Sequence, residues 1–564
     1  MHPRTSALGV ALMCCILASV TVVGRAWSQA GTVLSHSKIN SDDLDAVGLP
    51  LDDADEFGDA VASLGDLDGP GPSVTALAVG AVGDDDGGSH YGAVYILFLN
   101  VAGDVLSYQK ISSTQGDFTG QLGLDDEFGG SITSLGDLDG AGPSVRAIAV
   151  GAIGDDDGGV DAGAVYILFL NSAGTVLSHQ KISDTQGGLT GGPLDQLDEF
   201  GGAVAGLGDL DGAGPSAGAL AVGCIGDDDG GPQRGSTYIL FLNSNGTVLS
   251  RQKISDLVGG FTAILDDNDN FGEDLAFMGD LDGPGPSVLA LVASAVDDDD
   301  GGRDRGAVYV LFLSGTGSVL SHQKISSTVG NFTGVLAESD NFGASVIGLG
   351  DLDGTGPSVA GLAVGAGSDD GAGLNRGAAY ILLLNVAGSV ISHVEVSSNS
   401  GNFVGQLDDL DEFGSAMAAL GDIDGNGAGA QFLVSAASMD DDGGPDRGAV
   451  YILKLAGVGS VGVDDAPSAA RLDGLSFASP NPFKSSTTIP YRINEVGHVR
   501  IDILDARGRL VRELVRGTAT PGEHRVVWNG LDNAGRPMAP GSYFLKMSVN
   551  GQPLSAGTKA VLLR

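Results

Sequence analysis

Cysteine is scarce in this chain, which has Cys14, Cys15 and Cys224 among its 564 residues. The first two lie in an N-terminal segment that we predict to be removed, and Cys224 is then left without an intrachain partner. The sequence therefore excludes the disulfide framework that stabilises many small secreted domains. Stability has to come from packing, with or without bound ions.

Basic residues are also in short supply. The chain has 28 Lys and Arg against 72 Asp and Glu, and its formal net charge is −44. Residues 471–564 carry 13 of the basic residues but only 7 of the acidic ones, so the acidic residues are concentrated in the part of the chain that precedes residue 471. A field of this sign repels nucleic acids and anionic lipid head groups and attracts cations. Nucleic-acid binding is excluded.

Long apolar runs are nearly absent. The run over 7–23 follows Arg4, and Ser28-Gln29-Ala30 places small residues at −3 and −1 of a cleavage point. We predict a signal peptide over 1–30 and a secreted or bacterial cell-surface protein. No later stretch approaches the roughly 18 apolar residues of a membrane helix, so we expect no membrane span.

Glycine, in contrast, is abundant at 93 residues, and it marks a repeat. The dipeptide Phe-Gly opens six units with spacings of 71, 72, 71, 71 and 71 residues, at Phe57, Phe128, Phe200, Phe271, Phe342 and Phe413. Each unit reads as four short strands separated by Gly/Asp turns, and its third strand, 93–99 in the first unit, is apolar throughout. Four-stranded units in tandem are typical of propeller blades.

The two ends of the repeat region complement each other. Residues 31–39 copy the fourth strand found at 174–182, whereas the last unit has a third strand at 449–455 and no fourth-strand pattern after it. Pairing the two segments closes a ring and removes two exposed sheet edges. The predicted fold is all-β: a six-bladed β-propeller over 31–460, closed by the N-terminal strand.

The repeat resembles the FG-GAP repeat of integrin α-subunit propellers and of many bacterial surface proteins. Phe128-Gly129 matches the "FG", Val150-Gly151-Ala152 the "GA" element, and Gly163-Ala164-Val165-Tyr166 the following strand. The resemblance implies the fold and a binding or adhesion role. It also implies calcium sites in loops of the form D-x-D/N-x-D-G-x-x-D, because alternate oxygens converge on a hard cation.

The calcium loops of that family map here onto the Gly-Asp-Leu-Asp-Gly segments, which read Gly-Asp-Ile-Asp-Gly in the sixth unit. The candidate ligands are Asp66, Asp68, Asp137, Asp139, Asp209, Asp211, Asp280, Asp282, Asp351, Asp353, Asp422, Asp424 and Asn426. The fifth loop position departs from the pattern in five units, and Asn426 alone supplies a good oxygen there. The alternative is a turn whose aspartates bind their own backbone.

A second acidic turn lies between the second and third strands of each unit, for example at Asp84–Asp86. We interpret it as an ion site or, by preference, a solvated rim. His36, His179, His322 and His393 occupy one equivalent position on fourth strands, where Tyr108 and Arg251 replace them. This tolerance indicates an exposed strand face. No catalytic motif stands out, because Ser216 in a G-x-S-x-G match belongs to a repeat turn and not to a strand-to-helix elbow. We predict a non-enzymatic protein.

A linker over 461–474 leads to a module of different composition at 475–564. Its short alternating strands and turns indicate an immunoglobulin-like β-sandwich. Pro480-Asn481-Pro482-Phe483, Val526-Val527-Trp528-Asn529-Gly530 and Gly541-Ser542-Tyr543-Phe544 resemble two related families. These are the C-terminal sorting domain of type IX secretion and the immunoglobulin-like domain of flagellar hook-capping proteins. The resemblance implies export through that secretion machinery and surface attachment; the alternative is a spacer domain.

Together these patterns predict a secreted or surface binding and adhesion protein. Its partner would be an extracellular protein or glycan whose identity the near-identical loops do not reveal. Two alternatives stay open: an extracellular hydrolase that uses the propeller as a scaffold, and a structural coat protein.

Overall fold

The chain divides into two compact units, Met1–Gly462 and Val463–Arg564. A computed structural model describes residues 29–69, 73–140, 144–189, 194–212, 214–281, 289–352, 360–424 and 431–457 of the first unit and, in the second, 474–475, 487–493, 497–504, 509–519, 522–534, 536–539, 541–549, 552–553 and 558–562. The predicted signal peptide lies outside the described residues except for Gln29 and Ala30, and the predicted linker except for Gly474.

The described part of the first unit consists of short strands and one six-residue helix. Before the first blade come β1 (Val33–Ile39) and α1 (Ser41–Ala46). Blades 1 to 3 contain β2 (Phe57–Gly65), β3 (Thr75–Ala81), β4 (Ala93–Leu99), β5 (Val105–Ile111); β6 (Ile132–Gly136), β7 (Arg146–Ala152), β8 (Ala164–Leu170), β9 (Val176–Ile182); and β10 (Phe200–Gly208), β11 (Gly218–Cys224), β12 (Ser236–Leu242), β13 (Val248–Ile254). Blades 4 to 6 contain β14 (Phe271–Asp280), β15 (Leu289–Ala295), β16 (Ala307–Leu313), β17 (Val319–Ser326); β18 (Val346–Gly350), β19 (Ala360–Ala366), β20 (Ala378–Leu384), β21 (Val390–Val396); and β22 (Met417–Gly421), β23 (Gln431–Ala437), β24 (Ala449–Leu455).

These strands form six four-stranded antiparallel sheets. Five sheets use consecutive strands, whereas the sixth has the order β1-β24-β23-β22. In that sheet β1 pairs with β24, with Lys38 opposite Tyr451 and Ile39 opposite Val450. The innermost strands contact one another in the cyclic order β2, β6, β10, β14, β18, β22 and back to β2. The predicted six-bladed propeller, closed by the N-terminal strand, is confirmed.

The core lies between blades. Each of six apolar clusters joins two neighbouring blades, and the cluster that includes Ile39, Tyr95 and Val434 joins blade 6 to blade 1. The third strands of blades 1 to 5 are buried along their whole length, as β4 shows, because they pack on both faces. Among the strands of a blade, the exposed positions therefore concentrate in the fourth strand.

The repeat motifs have a direct packing role. Gly129 of Phe128-Gly129 donates its backbone N–H to the carbonyl oxygen of Gly151, 3.0 Å away within the same blade. A Cβ atom at Gly151 would lie 2.1 Å from the carbonyl oxygen of Gly201 in the next blade. Because no side chain fits at that distance, glycine is required where neighbouring blades approach most closely.

The histidines of the fourth strands are not on an exposed face, and that prediction was wrong. His36, His179, His322 and His393 are half-buried. Each ring packs on a phenylalanine from the preceding connection, as His179 does on Phe118 at a centroid distance of 5.2 Å. Burial lowers the pKa of His179, which favours the neutral ring. The sequence feature that could have indicated this packing is the Phe that recurs about 10 residues before most Phe-Gly pairs.

The loops of each blade divide between the two ends of the ring. The register of β2 with β3, and of β4 with β5, places the Gly-Asp-Leu-Asp-Gly segments and the short third-to-fourth hairpins at one end. We call this end the GDLDG face. The acidic turns and the connections between blades lie at the other end, which we call the acidic-turn face. The two predicted groups of acidic residues are therefore on opposite faces.

The second unit is also built of strands. They are β25 (Gly474–Leu475), β26 (Thr487–Ile493), β27 (Gly497–Leu504), β28 (Leu510–Ala519), β29 (Gly522–Trp528), β30 (Gly541–Val549), β31 (Gln552–Pro553) and β32 (Thr558–Leu562). One sheet has the order β25-β26-β29 and the other β28-β27-β30-β31, with β32 on β30. Trp528 is fully buried with Ile489 and Leu545 in the core. Over the described part of the whole chain, no helix is long and apolar enough to cross a membrane.

Candidate functional site

The predicted calcium loops have a consistent local geometry where they are described. The first aspartate is exposed in all six, whereas the Leu that follows it is buried in the first five, as Leu67 is at 4 % exposure. Asp68, Asp139 and Asp211 each accept a hydrogen bond from the hydroxyl of the serine five residues later, at 2.7–2.8 Å. Asp282, Asp353 and Asn426 lie outside the described residues. In the loops of blades 1 to 3, the serine hydroxyl already binds the second carboxylate.

The sixth loop differs because a lysine reaches it. Lys454 interrupts the otherwise apolar third strand of blade 6, and its ammonium forms an ion pair with Asp424. The same ammonium lies 5.3 Å from the ring centroid of Phe432. The loop that has the best oxygen set in the sequence thus already carries a positive charge. Any cation bound by Asp424 would have to compete with that ammonium.

The acidic turns are built around a buried ion pair, which the sequence reading missed. In five blades a lysine of the fourth strand joins the first and third aspartates of the turn: Lys110 with Asp84 and Asp86, Lys181 with Asp155 and Asp157, Lys253 with Asp227 and Asp229, Lys324 with Asp298 and Asp300, and Lys38 with Asp440 and Asp442. The first aspartate is 2–3 % exposed in each. The predicted solvated rim therefore does not describe the first aspartate of these turns, whereas the middle aspartate is exposed in all five.

The first blade shows the geometry of this cluster, which we call the lysine clasp. The Lys110 ammonium lies 2.5 Å from Asp84, 2.8 Å from Asp86 and 5.4 Å from the Tyr95 ring centroid. The Tyr95 hydroxyl donates to Asp84 at 2.8 Å. Burial alone would lower the pKa of Lys110, but its hydrogen bonds to the two carboxylates raise it. The lysine is therefore charged at any physiological pH.

Blade 5 lacks the lysine clasp. Glu395 takes the place of the lysine, and Gly371 takes the place of the third aspartate. Asp369 keeps the Tyr380 hydroxyl as a donor at 3.0 Å, while Glu395 accepts from the Ser397 hydroxyl. A sequence signal existed: lysine follows the first aspartate by 26 residues in blades 1 to 4, and residue 395 keeps that spacing with the opposite charge.

A cavity of 740 Å³ opens on the acidic-turn face beside blade 2. Its lining includes the blade 1–2 connection at 119–124 and the side chains of Tyr166, His179 and Lys181. Lys181 belongs to a lysine clasp and His179 packs on Phe118. Both Lys181 and His179 therefore already have structural partners. The cavity is better suited to receive a ligand than to supply a nucleophile with its general base.

The acidic-turn face also carries the most exposed large apolar side chains among the described residues. Val335, Ile264, Val404 and Leu124 are 87, 82, 78 and 66 % exposed. All four lie in connections between blades, which vary in sequence more than the strands do. Loops held by a rigid scaffold are the common place for binding residues.

Comparison with protein families gives one match. Residues 485–552 match the FlgD Ig-like domain. The predicted immunoglobulin-like domain at the C-terminus is thereby confirmed, and its likeness to hook-capping proteins with it. The resemblance of the propeller repeat to FG-GAP stays a prediction. Comparison with curated protein sequences found no match.

Several solved structures resemble the chain in fold at low identity. PorZ, an essential bacterial surface component of the type-IX secretion system of Porphyromonas gingivalis, is 12 % identical with a TM-score of 0.31; the match covers 87 % of this chain and 58 % of PorZ. A fungal alcohol oxidase of the AA5 family in complex with copper is 11 % identical with a TM-score of 0.33, over 95 % of this chain and 100 % of the oxidase. A glycoside hydrolase family 43 arabinoxylan arabinofuranohydrolase from Bacillus subtilis is 11 % identical with a TM-score of 0.26, over 91 % of this chain and 96 % of the hydrolase. At these scores the likeness carries no argument about function.

Proposed function

We propose that this chain is an exported, non-enzymatic binding protein that uses the acidic-turn face of its propeller. Its partner is an extracellular protein or glycan, and its immunoglobulin-like domain serves export, through the type IX route, or surface attachment. The observation that carries the proposal is the set of exposed apolar side chains on that face. Val335, Ile264 and Val404 stand in the variable connections of an otherwise near-identical ring.

The charge of the propeller limits which kinds of partner fit this face. The acidic residues are concentrated in the propeller, and the acidic turns put many of them around the proposed surface. Complementary charge speeds association and suppresses wrong partners. A partner with a basic rim around an apolar centre fits this face best.

Calcium in the GDLDG loops is part of the proposal as a stabiliser of the opposite face. The exposed first aspartates, such as Asp137, supply one carboxylate each. Because Lys454 already pairs with Asp424, the sixth loop loses the advantage that Asn426 gave it in the sequence. Asp137→Ala should therefore reduce any calcium-dependent rise in melting temperature at least as much as Asp422→Ala.

The binding proposal is tested with glycan and matrix-protein arrays. The full mature chain should bind specific array members, and a Val335→Asp/Ile264→Asp variant should lose at least tenfold in signal. Val386→Asp is the matched control, since Val386 is 52 % exposed in a hairpin of the GDLDG face. Equal binding by both variants would place the surface elsewhere. Turnover of ester, phosphodiester or glycoside substrates that Lys181→Met abolishes would instead favour the hydrolase.

A further inference from the structure

Two residues of the predicted signal peptide over 1–30 make contacts that a removed segment does not explain. Gln29 and Ala30 are the last residues of that predicted segment. In the structure they directly precede the N-terminal strand β1 and contact the propeller. Residues that are removed on export cannot stabilise the mature ring, so these contacts bear on where the chain is cut.

Gln29 is held through both its side chain and its backbone. Its side-chain Nε2 donates to the carbonyl oxygen of His393, in β21 of blade 5, at 3.2 Å. Its carbonyl oxygen accepts from the backbone N–H of Thr32 at 3.1 Å and from the Thr32 hydroxyl at 2.8 Å. The two bonds to Thr32 close a turn that leads the chain into β1. Gln29 itself is exposed, so a charged amine at this residue lies in water.

The next residues pack against blade 5 as well as blade 6. Ala30 is half-buried against the apolar cluster that joins these two blades. Gly31 is buried, and a Cβ atom there would lie 2.8 Å from a methyl group of Ile381 in β20. Val33 donates its backbone N–H to the carbonyl oxygen of Gly401, in the connection that leaves blade 5, at 2.9 Å. The start of the chain is therefore held by a blade to which β1 does not pair.

These residues also rebuild a hairpin that is continuous in the other blades. In blade 2, Asn171 exchanges two backbone hydrogen bonds with residues 174–175, each at 3.0 Å. In blade 6, Ala456 exchanges the same two bonds with residues 31–32, each at 2.7 Å. The residue before the glycine of this hairpin is alanine in both blades, and in blade 6 it is Ala30. A cut after Ala30 would remove it from the rebuilt hairpin.

Two cuts fit the sequence of the predicted signal peptide. A cut after Ala30 has Ser28 and Ala30 at −3 and −1, whereas a cut after Ser28 has Ala26 and Ser28 at these positions. Both pairs are small, as the cleavage requires, so the pattern alone does not choose between them. The contacts do distinguish them. The first cut removes the hydrogen bonds of Gln29 and the packing of Ala30, and the second keeps both.

We propose that export cuts the chain between Ser28 and Gln29, and that residues 29–32 of the mature protein form a latch on blade 5. The latch adds to the closure of the ring, because β1 pairs with blade 6 whereas the latch contacts the blade before it. The proposal rests on the predicted export of the chain. It does not depend on the binding surface proposed above, which lies at the opposite end of the ring from the start of β1.

Mass spectrometry of the N-terminal peptide tests the position of the cut. Residues 1–564 are expressed in a Gram-negative host that exports proteins by signal peptide, and the exported protein is purified and digested. We expect an N-terminal peptide that begins at Gln29, either as glutamine or in the cyclised form that glutamine gives with loss of ammonia. A peptide that begins at Gly31 or at any other residue, or a chain that is not cut, would overturn the proposal.

Ser28→Leu and Ala30→Leu are a matched pair of variants, because a large side chain at −1 blocks the cut. Ser28→Leu should reduce the product that begins at Gln29 at least tenfold, whereas Ala30→Leu should still start at Gln29. The opposite pattern would assign the cut to Ala30. The N-terminal peptide is read equally from folded and unfolded protein, so the result does not depend on the stability of either variant.

The latch is tested separately by thermal melting of two mature chains, one that begins at Gln29 and one that begins at Gly31. The shorter chain loses the hydrogen bond to His393 and the packing of Ala30, and it should melt about 1–2 °C lower. Gln29→Ala in the longer chain is the control, since it removes the side-chain bond alone and should lower the melting temperature by less. Equal melting of the two chains would show that residues 29 and 30 do not stabilise the ring, and would overturn the latch.

Discussion

Blades 5 and 6 depart from the common blade in opposite ways. Blade 6 is assembled from both ends of the repeat region, since β1 completes the sheet of β22, β23 and β24. It nevertheless reproduces the lysine clasp, with Lys38 on Asp440 and Asp442. Blade 5 is continuous in sequence, yet Glu395 stands where the clasp lysine would be.

The comparison separates what determines the topology of a blade from what stabilises it. Blade 5 pairs β20 with β21 in the same register as the other blades, with Leu382 opposite His393. Strand pairing therefore does not need the clasp. Blade 6 shows that the clasp does not need covalent continuity either, because Lys38 and Asp440 are about 400 positions apart. The fold follows from the apolar strands, and the clasp adds stability where a lysine is present.

The largest expected effect comes from removing β1. Deletion of residues 31–39 takes away the outer strand of blade 6 together with Lys38, and leaves β24 with an unpaired edge. Because the ring has no disulfide and blades 6 and 1 share one apolar cluster with Ile39, the whole propeller should lose its cooperative melting transition and aggregate. Circular dichroism and light scattering measure this. Deletion of the same length in β5, an outer strand within one blade, is the comparison. A 31–39 deletion that melts like the intact chain would contradict the closed ring.

Opening the lysine clasp should have the next largest effect. Lys38→Met leaves Asp440, which is 2 % exposed, without its cation. Loss of one partner of a buried pair costs several kcal/mol, and the partial exposure of the lysine lowers our expectation to about 2–3 kcal/mol of unfolding free energy. Lys110→Met should cost a similar amount if the non-covalent blade behaves like a continuous one. Urea denaturation of both variants tests this equality. A much smaller loss for Lys38→Met would show that blade 6 is already open in solution.

Much of the propeller was predictable because its signals are repeated six times. The Phe-Gly spacing, the wholly apolar third strand and the misplaced fourth strand together gave the blade count and the closure. The helix Ser41–Ala46 was missed, since six residues capped by Asn40 leave little periodic signal. The half-buried histidines were missed because substitution by Tyr108 and Arg251 suggests exposure, whereas all three side chains can cover a neighbouring ring.

The sites were harder to predict than the fold. The lysine clasp joins residues on different strands, so it appears only when the third-to-fourth pairing brings the two together. The ion pair of Lys454 with Asp424 was hard to predict for the same reason, because the lysine lies 30 positions from its partner in the sequence. Local motifs therefore pointed to the GDLDG loops and not to the lysine clasps.

A smaller effect should come from a buried aspartate that all six blades share. Burial raises the pKa of Asp126 to about 6, although Gly123 donates a backbone N–H to its carboxylate. A raised pKa means that the folded state holds the proton more tightly than the unfolded state does. The stability that protonated Asp126 contributes is therefore complete below pH 4 and is lost as the pH rises through 6. Asp126→Asn should therefore match the wild type at pH 4 and exceed it by about 2 kcal/mol at pH 8. Asp340→Asn in blade 5, where the pKa is also about 6, should give the same profile. A variant less stable than the wild type at pH 8 would contradict the assignment.

The smallest expected effect is a gain, and it completes the comparison of the two blades. Glu395→Lys should place an ammonium beside Asp369, which is 5 % exposed, and so supply blade 5 with half of a lysine clasp. The new pair has one carboxylate where the other blades have two, because Gly371 stands in the third position. We therefore expect a gain of about 1 kcal/mol in unfolding free energy, and a further gain when Gly371→Asp is added. Glu395→Gln is the control: it removes the like charge without adding a cation, and should give less than half the gain of the lysine. Equal melting of Glu395→Gln and Glu395→Lys would mean that only repulsion is relieved, whereas a loss of stability in Glu395→Lys alone would mean that blade 5 is built around its glutamate.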